Sequence, residues 1–427
     1  MKKLITILTL FTATSIFATD RFVDPNLSSG NGTTLFTNIT SAVAAAVNGD
    51  RIIVSSNTYN EATLTISKSL KIIPQTAGTT INFNANIIVA GFSGMKLEIF
   101  GFNLGIYSIT GNGFGNSTGA NRAKVSIIEC NCDSINFNQG GYKMYLIRNN
   151  ITNDVTIAFG KLVLNTMTNC YIYDDGDINE NILITNNTIT SSLLFYNASC
   201  KLIIANNLLK DLLIKRWNSN QAIKNLIINN EFVSNSNIGF SNFDVPYYNI
   251  IFSSNIINTP VRYLTYSLDD YHFTQCGPVG AGNLGFYSSP SLSCCISMSC
   301  TGGQNQSFSY VNTITNSPNP NVSGTFEWSY NTVDYNCIMP NSSQPLSIIR
   351  TGNNGNIVDG GNPNHNFYDI DLTVNDKGRN GGPYSLLNYN PTSNPNNSKA
   401  FIFDLDIPTD LFPGQSVNIK ADGYHKN

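Results

Sequence analysis

From Asp50 to about Thr259 the chain alternates short aliphatic runs with polar clusters of Asn, Ser and Gly. KLVLN from Lys161, SLLFY from Ser192 and KLIIA from Lys201 have the length and composition of short strands separated by turns. The segments LIRNNI, MTNCYI, ITNNTI, ANNLL, INNEF and SSNII share one frame: an aliphatic run, a polar pair, an Asn, then an apolar residue. Aligning on that Asn selects Asn131, Asn150, Asn169, Asn187, Asn207, Asn230 and Asn255, in steps of 19, 19, 18, 20, 23 and 25 residues. Strands this short, recurring at this period without helices between them, predict a solenoid of stacked coils. Asn suits its turn because the amide tolerates the left-handed region and can bond to the equivalent Asn one coil away. The seven residues are therefore expected to form a ladder. A β-sandwich or propeller is the competing architecture, but neither would return the same Asn at each step.

One segment has a different period. Ile39, Ala42, Val43 and Ala46 lie at i, i+3, i+4 and i+7, the apolar face of one helix over about residues 37–47. Thr37 or Asn38 can cap its start, and Asn48-Gly49 supplies a left-handed stop. A single helix followed only by strands fits a cap over the apolar interior of the first coil. The predicted fold class is all-β, a parallel β-helix with one N-terminal capping helix.

The run Ile39, Ala42, Ala46, Gly49-Asp50, Ile52, Val54, Tyr59, Glu61, Leu64 and Ile66 resembles the start of secreted right-handed parallel β-helix proteins of the pectate-lyase-like superfamily. IVDGGNPNHNFYDIDLTVNDKGRNGGP, from Ile357, is similar to the closing segment of exported bacterial β-helix proteins. The resemblance implies a right-handed solenoid. It does not imply a reaction, because that superfamily holds lyases, hydrolases, esterases and adhesins.

Residues Met1 to Ala18 have the plan of a secretory signal peptide: Lys2 and Lys3, an apolar run from Leu4 to Phe17, and a small residue for cleavage after Ala18. The run is short for a membrane span and is interrupted by Thr12, Thr14 and Ser15. The expected organisation is a signal at 1–18 and a β-helix domain at 19–388, with an irregular insertion at about 260–320. A linker with a short strand pair follows at 389–427. The expected address is secreted or cell surface, with no membrane span once the signal is removed.

Composition narrows the partners. Only 12% of residues are charged, the net charge is −3 and the pI is about 5.6, which argues against nucleic acid or an anionic membrane. Roughly 60 residues are Asn, about three times an ordinary share. Nine cysteines in an exported chain permit disulfides. The repeat register keeps Cys132 and Cys170 apart, as reduced apolar fillers. Any bridge is expected among Cys276, Cys294, Cys295, Cys300 and Cys337.

The chemistry sought is mostly missing. Polygalacturonase Asn-Thr-Asp and Gly-His-Gly motifs do not occur. TYNE at Thr58 is similar to an opening motif of pectin methylesterases, without their downstream motifs. Asp174-Asp175-Gly176-Asp177 reads as a solvated turn or a cation loop. Arg122, Arg148 and Arg216, the basic residues a lyase might use, read as surface charges. Asp359, Asp369, Asp371 and Asp376 either hold Ca²⁺ through oxygen ligands or satisfy turn amides. Trp217 reads as a sugar-stacking or a packing residue. Tyr263, Tyr266, Tyr271, Phe273, Tyr287 and Trp328 are the glycan-contact candidates. The expected function is a non-catalytic exported protein that binds an extracellular polysaccharide or serves as a surface or matrix component. The alternative is a polysaccharide lyase or glycoside hydrolase.

Overall fold

The computed structural model describes residues 18–115, 119–173, 181–197, 200–214, 224–233, 237–241, 247–257, 263–267, 323–329, 332–333, 346–351, 356–369, 372–385, 401–406 and 420–424. They form a parallel β-helix built on three ladders. The first is a sheet of fourteen strands running from Leu35–Phe36 and Asp20–Val23 to Leu346–Thr351, every pair parallel. At about 4.8 Å per strand it is on the order of 60 Å long. The second ladder uses two- or three-residue strands such as Asn131–Cys132, and the third uses strands such as Asp154–Ile157. In two coils the corner between them straightens, so that Thr188–Asn197 and Leu208–Ile214 run through both ladders.

Alternation along each strand sends one row inward. In the first ladder Ile52, Ile72, Ile99, Ile127, Leu146, Leu162, Ile184, Ile204 and Ile227 are stacked in register and fully buried. Burying each such side chain contributes about 1.5–3 kcal/mol, so the continuous inward row is a main source of the stack's stability. Phe252 and Trp328 continue the same register row.

The corner after each first-ladder strand has a fixed form. Glu129, Arg148, Leu164, Asn186, Asn206, Asn229 and Ser254 all have φ between 52° and 62°, and Gly101 occupies the position in an earlier coil. In five coils the residue that follows, in sequence Asn149, Asn165, Asn187, Asn207 and Asn230, donates its backbone N–H to the Oδ1 of the next coil's Asn at 2.8–3.0 Å. Among the described residues Asn255 is the last of this run. This is the interior ladder. It contains Asn187, Asn207, Asn230 and Asn255 as expected, but not Asn131, Asn150 or Asn169. Asn131 and Asn150 lie one residue past the interior-ladder position and belong to a second, outward ladder with Asn82 and Asn103, joined by carboxamide bonds of 2.9–3.1 Å. Asn169 lies in the third ladder and donates to Asp154. The frame slipped because LIRNNI offers two adjacent Asn and because Asn169 in MTNCYI opens a third-ladder strand.

The cap is a helix, α1, at Ile39–Ala45, shorter than the predicted span. Asn38 caps it by accepting from Ser41, and Gly49 has a φ of 97°. Glu61 explains the TYNE segment: its carboxylate accepts the N–H groups of Ile39 and Thr40 and holds the helix start. Asp50, fully buried, accepts from Thr19, Val47 and Arg21 and ties the first strand to the helix end.

Tyr263–Ser267 pairs with Asn237–Ser241 as a regular third-ladder strand. The coils therefore run past Pro260, where the insertion was expected to begin. Phe401–Asp406 and Lys420–Tyr424 pair antiparallel. Among the described residues no helix is long and apolar enough to cross a membrane.

Candidate functional site

An aromatic cluster stands on the outer face of the third ladder. Strand Asn169–Tyr173 alternates buried Cys170 and Ile172 with outward Tyr171 and Tyr173. In the next coil Ile172 pairs with Phe195 but Tyr173 pairs with Asn197, so Tyr196 is the extra residue of a β-bulge. The bulge brings Tyr196 against Tyr173, with ring centroids 4.2 Å apart and planes within 16°. Tyr171 lies 6.4 Å from Tyr196 at a 38° tilt. Tyr173 is 38% exposed. Partial burial, with Tyr196 alongside, pushes the Tyr173 phenol up to about 12, so it stays neutral across the ordinary pH range. Three amphipathic rings on a rigid sheet make a stacking platform with hydroxyls at its edge. The composition did not reveal it, because Tyr171 and Tyr173 look like ordinary strand residues until Tyr196 is bulged onto them.

A second feature lies at the corner between the first and second ladders. An open cleft of about 320 Å³ is lined by Thr80, Asn103, Glu129, Asn131, Arg148 and Asn150, with Phe102 and Cys130 beneath. Arg148 and Glu129, both at left-handed corner positions, form an ion pair at 3.7 Å. The cleft therefore joins one carboxylate, one guanidinium and part of the outward Asn ladder.

Farther along the same corner the closing segment occupies the equivalent space. Asn186 donates to the carbonyl of Tyr384, Asn206 to those of Arg379 and Gly381, and Asn229 to that of Asp376. Phe367 packs with Leu183, Ile203, Ala205 and Ile228 on the outside of the first ladder. Residues 356–385 are thus a strap laid across several coils. Within it Asp369 accepts the N–H groups of Asp376 and Gly382, and Asp376 accepts that of Asp359. Three of the four aspartates proposed for Ca²⁺ meet in this way through backbone amides. Asp371 lies outside the described residues. Among the described residues no group of three or more His, Cys, Asp or Glu is placed to hold a metal.

The other candidates are dispersed. Tyr263 and Tyr266 lie on one third-ladder strand, and Tyr266 shares its register row with buried Ile172, Phe195 and Ile214. Trp328 lies in the first ladder, on the row of Ile227. Tyr271, Phe273, Tyr287, Trp217, Arg216, the Asp174–Asp177 run and the five later cysteines lie outside the described residues. Arg122 is not a surface charge. It is 1% exposed, donates to the carbonyl of Gly140 and lies 3.8 Å over the ring of Phe159. Cys132 and Cys170 are free and buried as expected, but they belong to different ladders, paired with Ile151 and Val155 respectively.

Compared with known proteins, the chain matches no family model, no curated protein and no solved structure.

Proposed function

We propose that this chain is an exported β-helix protein, similar to the pectate-lyase-like superfamily, that binds an extracellular glycan without cleaving it. The observation that carries the reading is the exposed stack of Tyr173 on Tyr196 beside Tyr171. A sugar ring presents a face of C–H groups that lies well on an aromatic plane, while the phenol edges bond its hydroxyls. The rings stand on paired strands, so little side-chain entropy is lost on binding. The N-terminal apolar run and the sequence likeness at both ends support export and the family.

The test is a glycan array followed by titration of the best ligand. Tyr173→Ala and Tyr196→Ala are expected to weaken binding about tenfold or more, with no release of reducing ends or unsaturated products by the unaltered protein. Equal affinity in both variants would remove the platform. The corner cleft supports the second reading, an enzyme acting on polysaccharide, since it pairs Glu129 with Arg148. Turnover abolished by Glu129→Gln or Arg148→Gln would establish that reading instead.

A further inference from the structure

The tyrosine platform stands in an anionic part of the chain. Its strands lie in sequence between Lys161 and Lys201, both of which are on the first ladder. The stretch between those lysines holds Asp174, Asp175, Asp177 and Glu180 and no Lys, Arg or His. The first of these acids follows Tyr173 directly in the sequence. The preceding coil adds Asp154, on the outward face of its strand, opposite Asn169 and two residues from Thr156, which is opposite Tyr171. Asn169 donates to Oδ1 of Asp154 at 2.9 Å, and the carboxylate has no other hydrogen-bond partner among the described residues. Burial and then the charge of Asp154 push the Tyr171 phenol up, so the carboxylate is within electrostatic reach of the ring. The third-ladder strand of the coil after Tyr196 brings one charge of each sign, Lys210 and Asp211. Thr110, Asn136 and Thr156, each exposed or half-buried, lead up to Tyr171 along one register row.

We propose, resting on the glycan reading above, that the platform takes a glycan bearing free amino groups, an oligomer or polymer of protonated amino sugars. The rings stack on the C–H face of a sugar, and its ammonium group is drawn both to the aromatic faces and to Asp154. The anionic neighbourhood raises the local concentration of such a cation. Thr110, Asn136 and Thr156 offer uncharged hydrogen-bonding groups to the sugars that follow along the row. The same charges oppose a polyuronate or a sulfated chain, which meets like charge at Asp154 and in the acids that follow Tyr173. A neutral glycan gains the stacking alone. Charge therefore sets the order: amino sugar, then neutral sugar, then uronate.

The experiment is titration of the full chain with oligosaccharides of equal length built from glucosamine, N-acetylglucosamine or galacturonic acid. A pH of about 5.5 keeps amines protonated and aspartates ionised, and a chelator prevents a divalent ion from bridging carboxylates. The amine form is expected to bind about tenfold tighter than the N-acetylated form, and galacturonate more weakly than either. About 1 M salt, where screening shortens to about 3 Å, is expected to shrink the amine advantage. Asp154→Asn, which keeps an acceptor for Asn169, is expected to lower the ratio of amine to N-acetyl affinity about threefold. Tyr173→Ala is expected to weaken both forms. Equal affinity for the two forms, or a preference for galacturonate, overturns the proposal and leaves the platform standing where Tyr173→Ala still weakens binding. No binding of the amine form overturns it as well. Binding of the amine form that Tyr173→Ala leaves intact overturns proposal and platform together, since the charge then acts elsewhere on the chain.

Discussion

The carboxamide oxygen of Asn187 accepts two hydrogen bonds from Asn165, one from the backbone N–H and one from Nδ2, both at 2.9 Å. Asn187 in turn donates Nδ2 to the carbonyls of Leu162 and Thr185 and to Oδ1 of Asn207. Each ladder Asn thus satisfies backbone groups that the left-handed corner takes out of the regular sheet pattern. A buried backbone amide without this partner carries its full desolvation cost.

Asn165→Ala and Asn187→Ala are accordingly expected to destabilise the protein by about 1–3 kcal/mol each. Asn169→Ala, which loses a half-buried bond to Asp154 and a long one of 3.3 Å from the Ser192 N–H, should cost about 1 kcal/mol or less. Denaturant midpoints of the three variants check the order, and equal losses would mean that the interior ladder has no special weight.

The N-terminal cap should be acid-sensitive. Burial alone would raise the Asp50 pKa, but bonds from Val47, Thr19 and Arg21 outweigh it and hold the carboxyl below its ordinary value. A carboxylate with a depressed folded pKa stabilises above its unfolded value of about 3.9 and loses that contribution as pH falls through the folded value. Amide exchange in the first coils should therefore accelerate below about pH 4. Asp50→Ala should produce the same opening at neutral pH and cost about 3–5 kcal/mol, because Arg21 is left buried without its partner.

Cys130, Cys132, Cys170 and Cys200 should resist alkylation in the native protein. All four are buried and outside any disulfide, and burial pushes the Cys130 thiol up to about 12 and those of Cys132 and Cys170 further still. Mass spectrometry after brief iodoacetamide treatment should find these positions unmodified until denaturant is added. Rapid native labelling of any one would show that its coil opens.

The strap supplies a test that separates amide capping from calcium. Phe367→Ala removes the ring covering Leu183 and Ile203 and should cost about 3–5 kcal/mol, seen as faster proteolysis within residues 356–385. Asp369→Ala should also loosen the strap by freeing the Asp376 and Gly382 amides. A chelator is expected to leave the melting temperature unchanged. A fall on chelation that Asp369→Ala abolishes would show that the aspartates hold an ion.

Much of the architecture was legible along the chain because β-helix rules are local. Short aliphatic runs such as RIIV, KLVLN and KLIIA marked the strands, and the recurring Asn marked a turn once per coil. Ile39, Ala42 and Val43 announced the cap helix by spacing alone and are buried beneath it. In LIRNNI the choice between Asn149 and Asn150 could not be made from spacing, since only the left-handed φ at Arg148 identifies which Asn turns inward.

Register across coils was decided only in three dimensions. A one-residue bulge at Tyr196 turned two ordinary strand tyrosines into a stack. Loops of unequal length between Lys96, Lys124 and Lys143 hid a straight row of like charges. Asn186, Asn206 and Asn229 grip a strap that lies 146 to 198 residues farther along the chain. Residue periodicity determines which side of its own strand a side chain occupies. Which residue of another coil stands opposite depends on the loop between them, and local pattern carries no information about that length.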